Sequence, residues 1–584
     1  MMLTTREQEH LRYSGLFGLG REFVQNVTIA LRGLNAPIWM QSPTSPVQLG
    51  FACLLGLLTW QLFTFLASFE HDPNEPPLIK PKMPVVGHLW GLLRSQVNYF
   101  SELYSRTKLP IATLPVANKK LYVIFDPAYQ QAALTSNQMD AQSFMVDFVP
   151  RIFGVKKGTV DKLLGKDGVH PNIMSDMEGV FNTSLSGNNL QQLLLTTLEQ
   201  VANTLNAIDK EDGLKVPNLF IFFQKLLTRS TSTALWGKDN NPYNDQELID
   251  AQWDFEGNMG PLVIGLLPSI TARRAYLARS KVQSALSRFY MAKHDQTDPQ
   301  VSQFVRLRSQ LLRGYDIPPD ELAKNETAIT LVATTNALST LFWCVAEIFS
   351  DSELLSDVRN EVFKAVFGRT GSPPQKFSGK VKVSAKSLVS EENCPLLNSC
   401  YRESIRLASQ IVTARRVLTD ITLFPSSSPS KDNNSKGYLL KADTNVMMPA
   451  KPVHRDPSIW GPDADTFNPR RFIAPSSEDR NKDPDRYMQD LTRHRRMKAS
   501  FVPFGGGKHL CPGRHYAFLE NLSIIAALVL GFDIVGLDKE RLKMGDSKRG
   551  ETAKPVAGFE GGHNLVLRRR RGWEDVQWEF GYDS

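Results

Sequence analysis

The stretch from Pro319-Asp320 to Phe349 keeps a helical period without a break. Proline and aspartate suit its first turn, and Asp320, Glu321 and Glu326 favour the positive end of its dipole. At 1.5 Å per residue, about 30 residues span about 45 Å. A helix of that length must cross a whole domain, so the rest of the fold is built around it. The chain has 584 residues, 42% hydrophobic and 22% charged, which is enough for a large buried core around such an axis.

The flanking pattern is mainly helical. One helix is expected from Asp351 to Phe367, and another opens near Pro395 and carries Tyr401-Arg402-Glu403-Ser404-Ile405-Arg406. Short strands are expected at Leu121–Phe125, Ile421–Phe424, Tyr438–Leu440, Phe532–Val535 and Asn564–Leu567. The Ser/Pro/Asn-rich run Pro425–Lys436 reads as a loop tip, and there is no internal repeat. The fold class is mainly α with small β-sheets.

Leu49 to Phe69 carries no charge over 21 positions, the length of one helical membrane crossing. Lys80 and Lys82 come after it and Arg32 is the nearest basic residue before it, which places the C-terminal part of the chain on the cytosolic side. Asn26-Val27-Thr28 would then be a lumenal sequon. Pro73-Asn74-Glu75-Pro76-Pro77 and Pro81–Gly87 make a stiff spacer. The expected organisation is an N-terminal lumenal segment (1–48), a transmembrane anchor (49–69), a proline-rich hinge (70–84) and a catalytic domain (85–584). Five scattered cysteines (Cys53, Cys344, Cys394, Cys400, Cys511) exclude a disulfide framework, and no C-x-x-C pair suggests zinc. They fit a reducing compartment. Net charge is +8, with basic runs at Arg493–Lys498 and Arg568–Arg571. These read as a solubilising surface or as a docking face for an acidic partner or anionic membrane. Nucleic acid is a poor partner because no binding module accompanies the charge.

Chemistry concentrates at Phe504-Gly505-Gly506-Gly507-Lys508-His509-Leu510-Cys511-Pro512-Gly513-Arg514. One cysteine lies between glycine-bearing turns, so the backbone can fold tightly beneath the sulfur and point amide N–H groups at it. That suits a coordinated thiolate, and haem iron is the metal most at home with one axial thiolate. Glu403 and Arg406 share a helix face. Downstream, His454-Arg455-Asp456-Pro457 and Phe467-Asn468-Pro469-Arg470-Arg471-Phe472 supply a second arginine, Arg471, that could close a buried Arg–carboxylate–Arg network.

The proline hinge, long helix, Glu403-x-x-Arg406, Phe467-x-Pro469-x-Arg471-Phe472 and the Cys511 loop, in this order, resemble a microsomal-type cytochrome P450 from about Val85 onward. The resemblance implies haem b, with Cys511 as axial ligand, Phe504 packed beside it, and Gly507 and Gly513 shaping the loop. Glu403, Arg406 and Arg471 would be structural. His509 stands where the family usually has a propionate-binding arginine; Lys508 or Arg514 could share that role. Most members carry an acid followed by threonine in the central helix, groups that deliver protons for dioxygen activation. Here Thr335 takes the acid's place and Asn336 the threonine's; a register one residue earlier would keep Thr335 as the threonine. Asn-x-x-x-x-x-Phe-Trp with a non-arginine before the cysteine is similar to the branch of sterol 7α- and 12α-hydroxylases and prostacyclin synthase. Near His170-Pro171-Asn172-Ile173-Met174 a second propionate partner is lost, and His170 reads as a local polar residue at a helix start.

The resemblance therefore implies a single-pass endoplasmic reticulum monooxygenase acting on a lipophilic substrate (steroid, terpenoid or polyketide-type) with NADPH-cytochrome P450 reductase as electron donor. Candidate lining residues are Ala333, Thr334, Ala337, Ser409–Val412, Ala557–Phe559 and a loop at Phe144–Phe153. A reductase-free haem-thiolate isomerase or dehydratase acting on a peroxide, and a non-catalytic membrane haem protein, are the other classes open to this sequence.

Overall fold

The computed structural model describes residues 50–60, 71–82, 86–116, 119–265, 267–368, 373–426, 436–546 and 551–583. The expected lumenal segment, its sequon, most of the loop tip and much of the expected anchor lie outside the described residues. Two compact units divide the chain, one of residues 1–72, 78–90 and 114–120, the other of 73–77, 91–113 and 121–584. In the first, Gly50–Trp60 is an apolar helix with mostly exposed side chains. A membrane-spanning helix over 49–69 is not shown.

The second unit is helical around Pro319–Phe349, whose bounds match the sequence expectation. Proline opens the helix and Asp320 and Glu321 occupy its first turn. It is the one described helix long and apolar enough to cross a membrane, yet 78% of its apolar window is buried inside the protein. Its buried hydroxyls fold back on their own helix: Thr327, Thr334, Thr335 and Thr340 donate to the carbonyls four residues earlier. Glu326 is fully buried and forms a two-pronged ion pair with Arg308, with an Nη2–Oε1 distance of 2.7 Å. The principal apolar core joins this helix to Gly187–Asn206, Leu219–Trp236, Ser352–Phe367, Pro395–Ala408 and Arg514–Gly531.

Ser352–Phe367 starts one residue after the expected Asp351, which is its N-cap and accepts from the Glu353 and Leu354 amides. Sheets are small. Leu121–Val123 pairs parallel with Asn445–Met447; Asn445–Pro449 pairs antiparallel with Val412–Val417, which pairs with Met139–Asp140. Ile421–Leu423 pairs with Tyr438–Leu440, and Phe532–Val535 with Leu565–Arg569, close to the expected strands. Val576–Gly581 pairs parallel with Gly379–Ser384.

The Arg568–Arg571 run is not a continuous surface patch. It ends a strand, so successive side chains alternate. Arg568 and Arg571 are exposed, whereas Arg569 is 2% exposed and donates to the carbonyls of Leu205, Asn206 and Ile208, the open end of the Gly187–Asn206 helix. Phe144–Phe153 is also not a loop: it belongs to the helix Gln142–Phe153. Cys344, Cys394 and Cys400 are buried core residues, their thiols pushed up by burial.

Candidate active site: a cysteine loop, a buried network and the central helix

Glu403 and Arg406 lie on Pro395–Ala408. The helix starts on proline, and its Leu396 and Leu397 amides each donate to the Glu361 carboxylate at 2.8 Å. That anchor fixes the rotation of the helix and hence the face carrying Glu403. Both Glu403 oxygens bind Arg406, through Nε and Nη2 at 2.7 Å, and Arg471 Nε reaches Glu403 Oε1 at 2.9 Å. The Asn468 amide adds a third donor at 3.1 Å. The arginines are satisfied in turn: Arg406 by the carbonyls of His454 and Ala464, Arg471 by the Trp460 carbonyl and the Asp463 carboxylate. Glu403 and Arg406 are completely buried. The Arg471 hydrogen bonds hold the Asp463 carboxyl down at about 2. His454 was not singled out from the sequence. Its Nε2 accepts from the Val502 amide, and burial, then the Arg406 charge, lowers it to about 3. It is a neutral post between the network and the cysteine loop.

In that loop the Cys511 amide donates to the Phe504 carbonyl at 3.0 Å, closing the turn. Gly507 has φ +63, and a Cβ there would meet the Leu134 carbonyl oxygen at 1.8 Å, so only glycine fits. Gly513 differs: its φ of −81 is ordinary and nothing crowds it. Its amide and that of Arg514, at the start of Arg514–Gly531, favour the thiolate of Cys511. Burial pushes the thiol up; those amides and the Arg514 charge pull it back. Phe504 packs at the edge of the principal core. The Arg514 guanidinium turns back to the Cys511 carbonyl at 2.9 Å.

His509 lies 3.7 Å from Asp140, and burial, then the Arg415 charge, lowers its pKa. Arg415 is a further residue missed from the sequence. It is 4% exposed, and its described acceptors are the carbonyls of Ala414 and Gly506. Burial disfavours its charge, so an anion beside it would be strongly held. The signal was Arg415-Arg416 within a strand, where one of two neighbours must face inward.

On the central helix Thr335 is buried with its hydroxyl spent on Leu331, whereas Asn336 is exposed. The Asn336 side chain accepts from the Thr552 amide at 2.9 Å. An N–H donor fixes the acceptor as the amide oxygen, leaving Nδ2 as a donor toward the exposed side. Seven residues on, Trp343 Nε1 donates to the Ala553 carbonyl at 2.7 Å. Of the lining candidates, Ala333, Ile411 and Val412 are half-buried, Ala557–Phe559 exposed, and Thr334, Ala337, Ser409 and Gln410 buried. His170 lies before the helix Met174–Ser184, bonded to Asp167 at 2.7 Å and stacked on Tyr315, as expected of a local polar residue.

Comparison with known proteins is consistent across the chain. The family model for Cytochrome P450 matches residues 76–556. A cytochrome P450 monooxygenase of Gibberella zeae is 29% identical over 92% of this chain and 96% of its own length. The 5-beta-cholestane-3-alpha,7-alpha-diol 12-alpha-hydroxylase of Sus scrofa is 23% identical over 84% of this chain and 90% of its own. Among solved structures, the retinoic acid-bound cyanobacterial CYP120A1 shares the fold, with a TM-score of 0.60 at 16% identity, covering 85% of this chain and 100% of that one.

Proposed function

This chain belongs to the cytochrome P450 family, and we propose that it is a membrane-anchored monooxygenase of a lipophilic steroid, terpenoid or polyketide-type substrate. It is an oxygen-incorporating oxidoreductase with protoporphyrin IX haem as cofactor. The residues fit that group. The Cys511 sulfur, faced by the Gly513 and Arg514 amides, is a preorganised thiolate site. The buried Arg415, with His509 beside it, offers donors of the right charge for the propionates. When bound, haem would supply the redox chemistry that activates dioxygen, with the Cys511 thiolate tuning it.

The protein's part is orientation and proton handling. Cys511 would hold the haem iron through its sulfur. Phe504, through its carbonyl, and Gly507, through its left-handed turn, hold the loop that presents it. Glu403, Arg406 and Arg471 brace the segment on which the loop rests. Asn336, pinned through its oxygen by Thr552, offers Nδ2 to order a water or an oxygen atom on the open side. It does not titrate, so it positions a proton donor rather than supplying the proton. Thr335, next to it, is buried with its hydroxyl already donated to the Leu331 carbonyl. Electrons come from an NADPH-dependent reductase docking on the basic side, where Arg493, Arg495, Arg496 and Lys498 are exposed on Pro484–Ala499. Residues 49–69 hold the enzyme on the endoplasmic reticulum with the catalytic domain in the cytosol.

The observation that carries this reading is the loop itself: the Cys511 amide closes on the Phe504 carbonyl at 3.0 Å, around a Gly507 turn that admits only glycine, at the head of Arg514–Gly531. Reconstitution with and without reductase and NADPH, on sterols, terpenes and hydroperoxides, tests it. NADPH-dependent oxygenated product is expected. Reductase-free conversion of a hydroperoxide, or a red-shifted ferrous–CO band that survives Cys511→Ala, would overturn it.

A further inference from the structure

Lys554 and Glu256 form an ion pair between segments 298 residues apart in sequence. Glu256 lies on Gln246–Asn258 with its side chain 2% exposed, whereas the Lys554 side chain is 28% exposed. The ammonium also sits 5.4 Å from the ring centroid of Trp253, one turn before Glu256. That ring is fixed in turn, its Nε1 donating to Thr228 at 2.9 Å. An ammonium has three donors. The carboxylate takes one and the ring face lies beside it; the exposed part retains donor capacity.

The place of this pair gives it meaning. Thr552, two residues before Lys554, donates its amide to Asn336. Two residues of extended chain are about 7 Å, so the Lys554 backbone lies within that distance of the amide that Asn336 accepts. The backbone between them is clamped on both sides. Ala553 accepts from Trp343 and donates to Ala408 at 2.8 Å, and Lys554 accepts from Gly545 at 2.8 Å. From the other side, Phe255, next to Glu256, packs in one apolar cluster with Ala328 and Leu331 of the central helix. Val332, 61% exposed, and Asn336 are the next residues along that helix toward the open face. Beside the apolar cluster of Phe255, Ala328 and Leu331, the Lys554 ammonium is paired with the buried Glu256.

We propose that Lys554, held in place by Glu256 and Trp253, is a specificity-determining residue that donates a hydrogen bond to an alcohol or carbonyl oxygen on an otherwise lipophilic substrate. This rests on the reading that the face exposed by Asn336 bounds the substrate chamber. The pair is neutral as a whole, so a neutral acceptor oxygen completes the ammonium's shell without separating the charges. A carboxylate substrate would compete with Glu256 for the ammonium, which the buried acid disfavours. A hydrocarbon would leave the ammonium's remaining donor without a partner. The enzyme thus acts on a molecule that an earlier oxygenation or cyclisation has already given an alcohol or ketone. Lys554 fixes which carbon of that molecule meets the reactive centre.

The test uses the full-length haem-loaded enzyme and matched ligand pairs, cholestanol with cholestane and sclareol with labdane, followed by the low-spin to high-spin optical shift. Wild type is expected to bind the oxygenated member of at least one pair about tenfold more tightly than its deoxy partner. In the Lys554→Met/Glu256→Gln double variant, which strands no charge, the preference should fall to about twofold or less with deoxy affinity unchanged. Lys554→Arg should keep part of it. A wild type that discriminates neither pair, or a double variant with undiminished preference, overturns the proposal. The ferrous–CO band of each variant separates the cases: an intact thiolate band with no oxygen preference refutes only the role of Lys554, whereas its absence from wild type refutes the proposed function itself.

Discussion

The two sides of the cysteine-bearing core are built on different terms. On the Cys511 side each charge is answered several times over. Glu403 has two arginines and a backbone amide, and each arginine has further carbonyl or carboxylate partners. On the open side of the central helix the contacts described are fewer: one amide pins the Asn336 side chain, and one carboxylate and one ring face hold Lys554. Redundancy fixes a framework that must not move, while fewer contacts leave room for substitution on the side proposed to meet the substrate.

The sharpest way to break this contrast is Glu403→Gln. It leaves Arg406 and Arg471 buried with less than a full counter-charge, a loss of about 3–5 kcal/mol. Little soluble, haem-loaded protein is expected, read from expression and the ferrous–CO band. A well-folded variant would mean that the carbonyls alone satisfy both arginines.

The contrast also tracks what could be read from the sequence. Glu403 and Arg406 are three residues apart, and the Cys511 loop is one contiguous run, so short-range spacing exposed both. The central helix was legible end to end because a long periodic run with proline at its start has few other folds. Lys554 and Glu256 were not legible, because their pairing exists only after chain segments far apart are packed together. Arg415 was hidden for a different reason: an arginine is ordinarily read as exposed, and only strand alternation turns one of the Arg415-Arg416 pair inward. The same alternation dissolved the Arg568–Arg571 patch.

A pH series sharpens the comparison next. Glu520, on the Cys511 helix, is pushed up from 4.5 to about 8 by burial, against hydrogen bonds from Thr231 and Tyr516. Its neutral form is the folded one. Its contribution is therefore fully present below pH 4.5 and is lost as pH rises through the window to about 8. His454 works the opposite way: lowered from 6.5 to about 3, it contributes fully above pH 6.5 and loses that contribution as pH falls toward 3. Glu520→Gln should gain on wild type by a few kcal/mol, on the order of one per unit of pH, as the buffer is taken from acid to mildly alkaline. Parallel Tm curves for the two proteins would show that Glu520 is not held neutral.

Asn336→Ala tests the open side. Losing one hydrogen bond should cost about 1 kcal/mol of stability, yet it should change the fraction of NADPH electrons that reach product. Unchanged coupling with lowered Tm would make Asn336 a strut alone. The smallest structural effect belongs to Arg495→Glu/Arg496→Glu on the exposed face of Pro484–Ala499. Stability should stay within about 0.5 kcal/mol, while the reductase-supported rate falls most at low salt. A rate loss independent of ionic strength would place the docking surface elsewhere.

Arg569 caps the carbonyl end of Gly187–Asn206, and Val576–Gly581 adds the parallel partner of Gly379–Ser384. Both pieces complete elements made much earlier in the chain. During synthesis the early helix waits with its final carbonyls bare and the middle strand with an unpaired edge, so the nascent chain stays exposed to self-association until residues 569–581 emerge. Slow release, or a bulky fusion that keeps this segment from docking, should therefore reduce the yield of folded protein more than the same burden placed before residue 71.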